Sequence, residues 1–432
     1  MNTITSTAKA YLNFAVGLRR FLRETYTVDD IVSNIRQQVI HREENFLNTI
    51  RASIFEYPQS PYLPLLKRAK LTHADIERLV VDNGLEGALG QLYDAGVYVT
   101  FEELKGRIPI KRGELEYHVS NSDFDNPNLT TALFAQTSGS TGAPSRTKLD
   151  LDFLHHNGGN YMLRCHMQDV FGVPTACWTN LLPDVVAMKA ILRFLHYGHR
   201  IEKWFSPVPL TFKSGARNYA LLTYLMALLV RLQGHPFPLP ECVPIDDPLP
   251  IVKWMMTSLE THGKCLIHAS ASKAVRISLL AQAQGINLNG AVVISIGEPM
   301  TDAKLKVIEK SGIQVSVAYS STECGAIGTA CLNPKTMDDI HFMSNHLAVI
   351  QQPVDVLDQI VDSICLTTLL PSSPKMLLNA QTDDFGITET RDCGCPVHEL
   401  GLHQHIYNVR SYRKLTGEGV TLVGTDMETI LE

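Results

Sequence analysis

The 432-residue chain has no surplus of basic charge: 38 Lys and Arg stand against 44 acidic residues, a net charge of −6. With no positive excess to neutralise phosphates, a nucleic-acid partner is not expected. Long apolar runs are missing too. The longest, Tyr219 to Leu232, is ~14 residues and carries Arg231, short of the ~20 needed to cross a bilayer. It reads as a buried helix, and no membrane partner is expected. The first 26 residues have no basic segment leading into an apolar stretch, so no secretory leader is expected. Nine cysteines are too few, and odd in number, for a disulfide framework in a chain this long. Reduced thiols in the cytoplasm, some of them free for a metal, fit better. Repeats and low-complexity tracts are also absent, and a mean hydropathy near zero excludes the disordered and integral-membrane classes.

What is there is chain enough for two or three domains and a large core. Residues 1–117 read as a mostly helical region, with helical spacing through Asp29–Ile50, prolines at 58, 61 and 64, and a helix opening at His73 behind Thr72 as N-cap. Six prolines between 236 and 250 mark a loop between helices. Apolar strands at Lys264–His268, Ala291–Ile296 and Val315–Tyr319 alternate with helices at Ser272–Gln284 and Asp302–Ser311. That alternation predicts an α/β fold, a parallel sheet flanked by helices. We place an α/β core at 118–332, a smaller β-rich subdomain of shorter strands at 333–409, and a hinge at 410–432. Ligands of parallel sheets sit beyond the carboxyl ends of the strands, so the segments after Ile296 and Tyr319 are where chemistry is expected.

Four strings stand out. Thr137-Ser138-Gly139-Ser140-Thr141-Gly142 follows the apolar run Ala132–Ala135 and offers backbone N–H and hydroxyl donors suited to phosphate oxygens. It is not a Walker A loop, since no Gly-Lys-Ser/Thr closes it. Tyr319-Ser320-Ser321-Thr322-Glu323 places an aromatic face, hydroxyls and a hard oxygen ligand for magnesium at a strand's end. Gly297-Glu298-Pro299 follows another strand, where bare backbone can approach a purine. Thr382-Asp383-Asp384-Phe385-Gly386 supplies acceptors for ribose hydroxyls. A His155-His156 pair has no acidic partner at the spacing an acyltransferase needs and reads as a helix start. With no Gly-x-Ser-x-Gly and no His-Glu-x-x-His, hydrolase readings have no anchor.

In order and spacing these strings resemble the acyl-adenylate-forming superfamily, most of all its phenylacetate–CoA ligase-like branch, which Ser60-Pro61-Tyr62 also fits. The resemblance spans nearly the whole chain. It implies that Thr137–Gly142 is the phosphate loop, that Gly297, Glu298 and Pro299 wall the adenine, and that Tyr319 stacks on it with Ser320 and Ser321 alongside. It further implies that Thr322 touches the α-phosphate, Glu323 binds magnesium, and Asp384 with Arg410 holds the ribose. There are departures. Ala143 and Ser145 stand where a lysine is usual, with Arg146 the nearest cation, and Asp383 replaces a glycine, which leaves Asp383 and Asp384 as alternatives. The chain also stops about where the superfamily's small C-terminal domain and its catalytic lysine would begin, so an open site with slow turnover is expected. Arg146 and Lys414 are the first candidates for that lysine's task.

The same branch implies a structural zinc on Cys331, His341, Cys393 and Cys395, with Cys324, His398, His403 and His405 as rival ligands. Trp178, His268, Ala269 and Ser270 are candidates for the acid pocket, His268 equally for a satisfied core histidine. The resemblance thus implies ATP- and magnesium-dependent adenylation of a carboxylic acid, expected to be aromatic. Acyl transfer to CoA, an acyl carrier protein or another nucleophile would follow. A nucleotide- or partner-binding relative of weak activity and an acyl-protein synthetase acting on a fatty acid are the alternatives, and a homodimer stays open.

Overall fold

The computed structural model describes residues 14–129, 133–136, 146–182, 184–211, 217–356 and 359–412, with backbone only for 133–136, 146–149 and Asn218. Twelve strands form one sheet. In chain order they are β1 (Thr175–Trp178), β2 (Lys203–Ser206), β3 (Pro240–Cys242), β4 (Cys265–Ala269), β5 (Ala291–Ser295) and β6 (Gln314–Ser321). There follow β7 (Gly325–Ala330), β8 (Ile340–Phe342), β9 (Leu347–Val356), β10 (Gln359–Thr368), β11 (Ala380–Thr390) and β12 (Gln404–Ser411). Their spatial order is β9-β10-β11-β12-β8-β7-β6-β5-β4-β1-β2-β3. From β6 to β3 every pairing is parallel; from β6 to β9 every pairing is antiparallel. The two halves meet at the β6–β7 hairpin.

The parallel half follows from the sequence as read. β4 and β5 are buried at all five positions, as inner parallel strands covered on both faces must be. The intervening helices are Ala271–Ala283 and Asp302–Glu309. Together with the helix Leu249–His262 they bury Ile251, Met255, Ile277 and Ile308 against one face. The helices Leu151–Met167 and Val186–His196 cover the other face, joined there by Val28–Ile40. Thr72 caps His73–Asp94 through a capping box with Asp75, and that helix packs with Arg42–Ile50 onto the antiparallel half. The 332/333 boundary lies between β7 and β8, adjacent strands of the one sheet.

Three expectations are corrected. The helix Arg217–Leu232 is not buried all round: Ala220, Thr223, Ala227 and Val230 are, but Leu221, Leu228 and Leu232 are 61%, 54% and 70% exposed. Docking a helix uses only the stripe at i, i+3, i+4 and i+7, so a run apolar on every side leaves half of itself outside. The proline-rich passage contains strand β3, which pairs with β2 from Pro240 to Cys242. It is an edge strand, the place in a sheet that tolerates proline. After residue 333 the strands lengthen rather than shorten, reaching 11 residues in β11. Among the described residues no helix is long and apolar enough to cross a membrane.

Candidate functional site

β6 runs parallel to β5 from Gln314 to Val317 and then leaves it. Its last residues, Tyr319 to Ser321, therefore project past the carboxyl end of the parallel half. A register shift between Tyr319 and Ser320 marks a bulge against β7, a device that re-aims side chains where a ladder ends. Ser321 Oγ accepts from the Cys324 backbone N–H at 3.2 Å and closes the turn through Thr322 and Glu323. Gly325, at φ +81°, completes it; a Cβ there would lie 2.4 Å from Asn157 Nδ2 and 2.5 Å from Phe153 Cζ.

Tyr319 and Asp384, 65 residues apart, meet here. The Tyr319 hydroxyl donates to Asp384 Oδ2 at 2.6 Å. Burial and the adjacent carboxylate push its pKa well above the ordinary phenol value, so it stays a neutral donor. Asp383 faces the other way along β11 and accepts from Ser411 Oγ at 3.2 Å. Of the two aspartates, it is Asp384 that joins Tyr319. Arg410, on β12 opposite Phe385, donates to Asp338 Oδ2 at 3.1 Å.

Glu323 is engaged by a residue that belongs to none of the four strings. Lys105, just after the short helix Phe101–Leu104, donates to Glu323 Oε1 at 2.6 Å, with side-chain exposures of 17% and 15%. Burial alone would raise the Glu323 carboxyl, but Lys105, with Lys375 more distantly, holds it below its ordinary value. The carboxylate is therefore ionised. A carboxylate oxygen holds several lone pairs, so Glu323 fits magnesium with Lys105 already engaged.

Gly297 adopts φ +77° and turns the chain beyond β5. Glu298 accepts from the Ser272 N–H and hydroxyl, both at 2.9 Å, which places its charge at the N-terminus of the helix Ala271–Ala283. Pro299 follows in the same loop. Thr137–Gly142 lie outside the described residues, as does Lys414; the paired strands Leu133–Gln136 and Arg146–Leu149 flank the loop. Trp178 is buried at the end of β1, its Nε1 donating to Val243 O at 3.2 Å. His268 is 2% exposed and hydrogen-bonded to the Tyr161 hydroxyl, 3.0 Å from Nε2. Burial pushes it down to about 3, so it is a neutral core imidazole. Ala269 is buried, and Ser270 begins the helix Ala271–Ala283 without a side-chain cap bond. His155 and His156 lie inside the helix Leu151–Met167, which Asp150 caps.

A second cluster lies on the antiparallel half. Cys331, His341, Cys393 and His405 can each offer a ligand atom, all within 4.8 Å of one another. His341 Nε2 lies 3.0 Å from Cys395 Sγ and 3.5 Å from Cys393 Sγ, while its Nδ1 meets Leu402 O at 2.8 Å. His405 pairs Nδ1 with Asp339 at 2.8 Å and keeps its buried Nε2 unpartnered. Hydrogen bonds from Cys331 and His341 hold Cys395 well below the usual thiol range, and the shared proton pushes Cys331 up. Soft sulfurs, imidazoles fixed through their far nitrogen, and an orphaned nitrogen suit a tetrahedral zinc. Cys395 and His405 compete for the fourth position. Cys324 lies apart, hydrogen-bonded to Ser321, and His403 pairs with His398.

No protein-family model and no curated protein matches the chain. Among solved structures it is similar to a 2-hydroxyisobutyryl-CoA ligase in complex with 2-HIB-AMP and CoA. The identity is 14% and the TM-score 0.45, over 89% of this chain and 68% of that one. It is similar also to McyG A-PCP complexed with phenylalanyl-adenylate, at 14% and 0.40, over 82% of this chain and 57% of that one. A third is the O-succinylbenzoate CoA synthetase from Bacillus subtilis in complex with ATP and magnesium, at 14% and 0.37, over 69% and 54%. This chain thus spans little more than half the length of the last two. At such identities and scores no residue role or activity carries over.

Proposed function

We propose that this chain belongs to the adenylate-forming superfamily, near its phenylacetate–CoA ligase-like branch, and activates a carboxylic acid, aromatic by that resemblance, with ATP. The observation that carries the reading is the meeting of Tyr319 and Asp384 beside Glu323, beyond the carboxyl end of the parallel half. Two strings of the sequence, 60 and more residues apart, supply it. Asp384 would take the ribose hydroxyls with Arg410 nearby on β12, and Tyr319, aimed by its bond to Asp384, would lie along the adenine. Thr322 and the 137–142 loop would receive phosphate oxygens.

The acid is already ionised at pH 7, so no general base is required. Its carboxylate oxygen forms a bond to the α-phosphorus of ATP as the bond to pyrophosphate breaks, giving an acyl-adenylate. Alignment and neutralisation of phosphate charge then supply the catalysis. Lys105 and Glu323 hold one charge pair at that place, and magnesium held by Glu323 would withdraw electron density from the phosphates. Zinc on Cys331, His341 and Cys393, with Cys395 or His405, would pin β7, β8 and β12. CoA, a carrier-protein thiol or a protein cysteine would accept the acyl group. A second reading, a binding relative of weak activity, is favoured by the cation already seated on Glu323. Magnesium-dependent exchange of labelled pyrophosphate into ATP decides: exchange with at least one acid supports adenylation, and none across a broad panel of aromatic and fatty acids refutes it.

A further inference from the structure

The helix Val186–His196 starts beyond the carboxyl end of β1 and carries Lys189 and Arg193 one turn apart. Arg193 lies against the helix Leu151–Met167, and Lys189 within reach of the charges of Arg193, Asp184 and Glu323. Arg193 lies over the Tyr161 ring at 4.6 Å and against Gly158, where a Cβ would be 3.0 Å from its Cγ. Its one side-chain bond among the described residues is Nη2 to Asn157 Oδ1 at 3.3 Å, a neutral acceptor, and its buried Nε has no partner. Asn157 Nδ2, on a residue 6% exposed, is likewise unpartnered. The Lys189 side chain has no hydrogen bond or ion pair among the described residues; Asp184 and Glu323 act on it only through space. Next to Arg193 lies Arg164, 3% exposed, bound to Thr329 Oγ1 and Gly328 O and to no carboxylate.

The nearby carboxylates are already engaged. Asp184 accepts from the Val186 N–H at 2.9 Å at the helix start, and Glu323 holds Lys105. Among the described residues, Lys105 and Lys375 act on Glu323, Lys189 on Glu323 and Asp184, and Lys273 on Asp184, with Arg193 and Arg164 behind Lys189. Counting also Glu298 beside Lys273 and Asp125 on Lys375, six cations stand against four carboxylates, an excess of two positive charges. Buried charge persists where it is paired, and here the pairing is incomplete. The cost registers in the groups themselves, since burial pulls Lys189 down to about 8 and Arg193 to about 10.

We propose that Lys189 and Arg193 form a carboxylate-receiving subsite, so that the acid this chain activates carries a second carboxylate remote from the one adenylated. This rests on the adenylation reading. An organic anion suits the place better than a bare phosphate, because Arg193 lies over the apolar face of the Tyr161 ring on the helix Leu151–Met167. A guanidinium and an ammonium one helical turn apart match the two oxygens of a carboxylate.

The test titrates the 432-residue chain with terephthalate and succinate, each beside its monomethyl ester, and with inorganic pyrophosphate, following the melting temperature. At least one diacid is expected to bind tenfold or more tightly than its ester, and Lys189→Met and Arg193→Met should each erase that ratio. Equal binding of diacid and ester, a ratio that survives both variants, or protection by pyrophosphate alone would overturn the proposal. A second measurement needs no ligand: Lys189→Met should melt higher than the parent, since it removes an unpaired charge, and an unchanged or lower midpoint overturns the premise. Pyrophosphate exchange separates the two readings. Exchange with monoacids and no preference for diacids refutes the subsite and keeps adenylation; a diacid preference in binding without exchange does the reverse.

Discussion

Replacing Glu323 by Gln should cost stability as well as activity, and the structure says how much. The partner left behind, Lys105, is an ammonium only 17% exposed whose contact with Glu323 is 2.6 Å. Breaking a buried pair by removing one member typically costs about 3–5 kcal/mol, because the surviving charge stays desolvated. Both groups here keep some solvent and a Gln carbonyl can still accept, so about 3 kcal/mol is expected. Lys105→Met should cost less, since Lys375 and Lys189 still act on the carboxylate. The double variant should recover most of the loss, giving a coupling of about 1.5 kcal/mol or more. The pair's pH signature has a definite sign. Glu323 titrates below its ordinary value in the folded chain, so its contribution is present above the unfolded carboxylate range, near pH ~4.3, and is lost as pH falls through the lower folded value. Urea denaturation of the four proteins, with hydrogen exchange read at the amides of β7, measures the cycle. Additivity within about 0.5 kcal/mol, or a Glu323→Gln protein as stable as the parent, would show that the pair holds nothing together.

Metal analysis should find about one zinc per chain. Cys393→Ser should lose it together with thermal stability, because binding to a structural site is also folding energy; metal-free protein that melts normally would refute the site. Comparing Cys395→Ser with His405→Ala decides the fourth ligand, as only the true ligand's loss should weaken retention against a chelator. Asp384→Asn should raise the KM for ATP by tenfold or more, and Tyr319→Phe by less, both read from pyrophosphate exchange; unchanged KM values would remove the pair from the nucleotide site. Gly325→Ala, strained by its φ of +81° and driven into Asn157 and Phe153, should destabilise by about 2–5 kcal/mol. A normal melting curve would contradict the packing described.

The parallel half was legible because its period is local. β4 and β5 are short apolar runs alternating with helices, of which Asp302–Glu309 is capped by Thr301, so each element announces itself within ten residues or so. The antiparallel half was less legible, since a long two-sided strand such as β11 alternates only where it meets the core. Within the site, the Tyr319 and Asp384 strings could be read as motifs, but their contact could not. Lys105, Lys189 and Arg193 carried no signal at all. Each is an ordinary cation in or beside an ordinary helix, and only tertiary packing sets Lys105 on Glu323 and leaves the half-buried Lys189 and Arg193 with no ion pair among the described residues. The exposed leucines of Arg217–Leu232 show the converse, a hydrophobic run whose composition says nothing about how much of it will be covered.

The order of the sheet also fixes an order of events. β12 lies between β8 and β11, with Ile340 of β8 facing Ile406 of β12 across 66 residues of chain. During synthesis the parallel half has every strand it needs once β6 has emerged, and its contacts are short in sequence. The other half cannot close until its last strand arrives and threads between two that are already made. Until then the open edge of β8 is a template for strands from other molecules, and closing so distant a contact is slow. Asp384 and Arg410 sit on the two strands that zip last. A nascent chain therefore acquires the wall that carries Asp384 and Arg410 at the final step, and conditions that stall this step should yield aggregates seeded from β8 rather than a folded monomer.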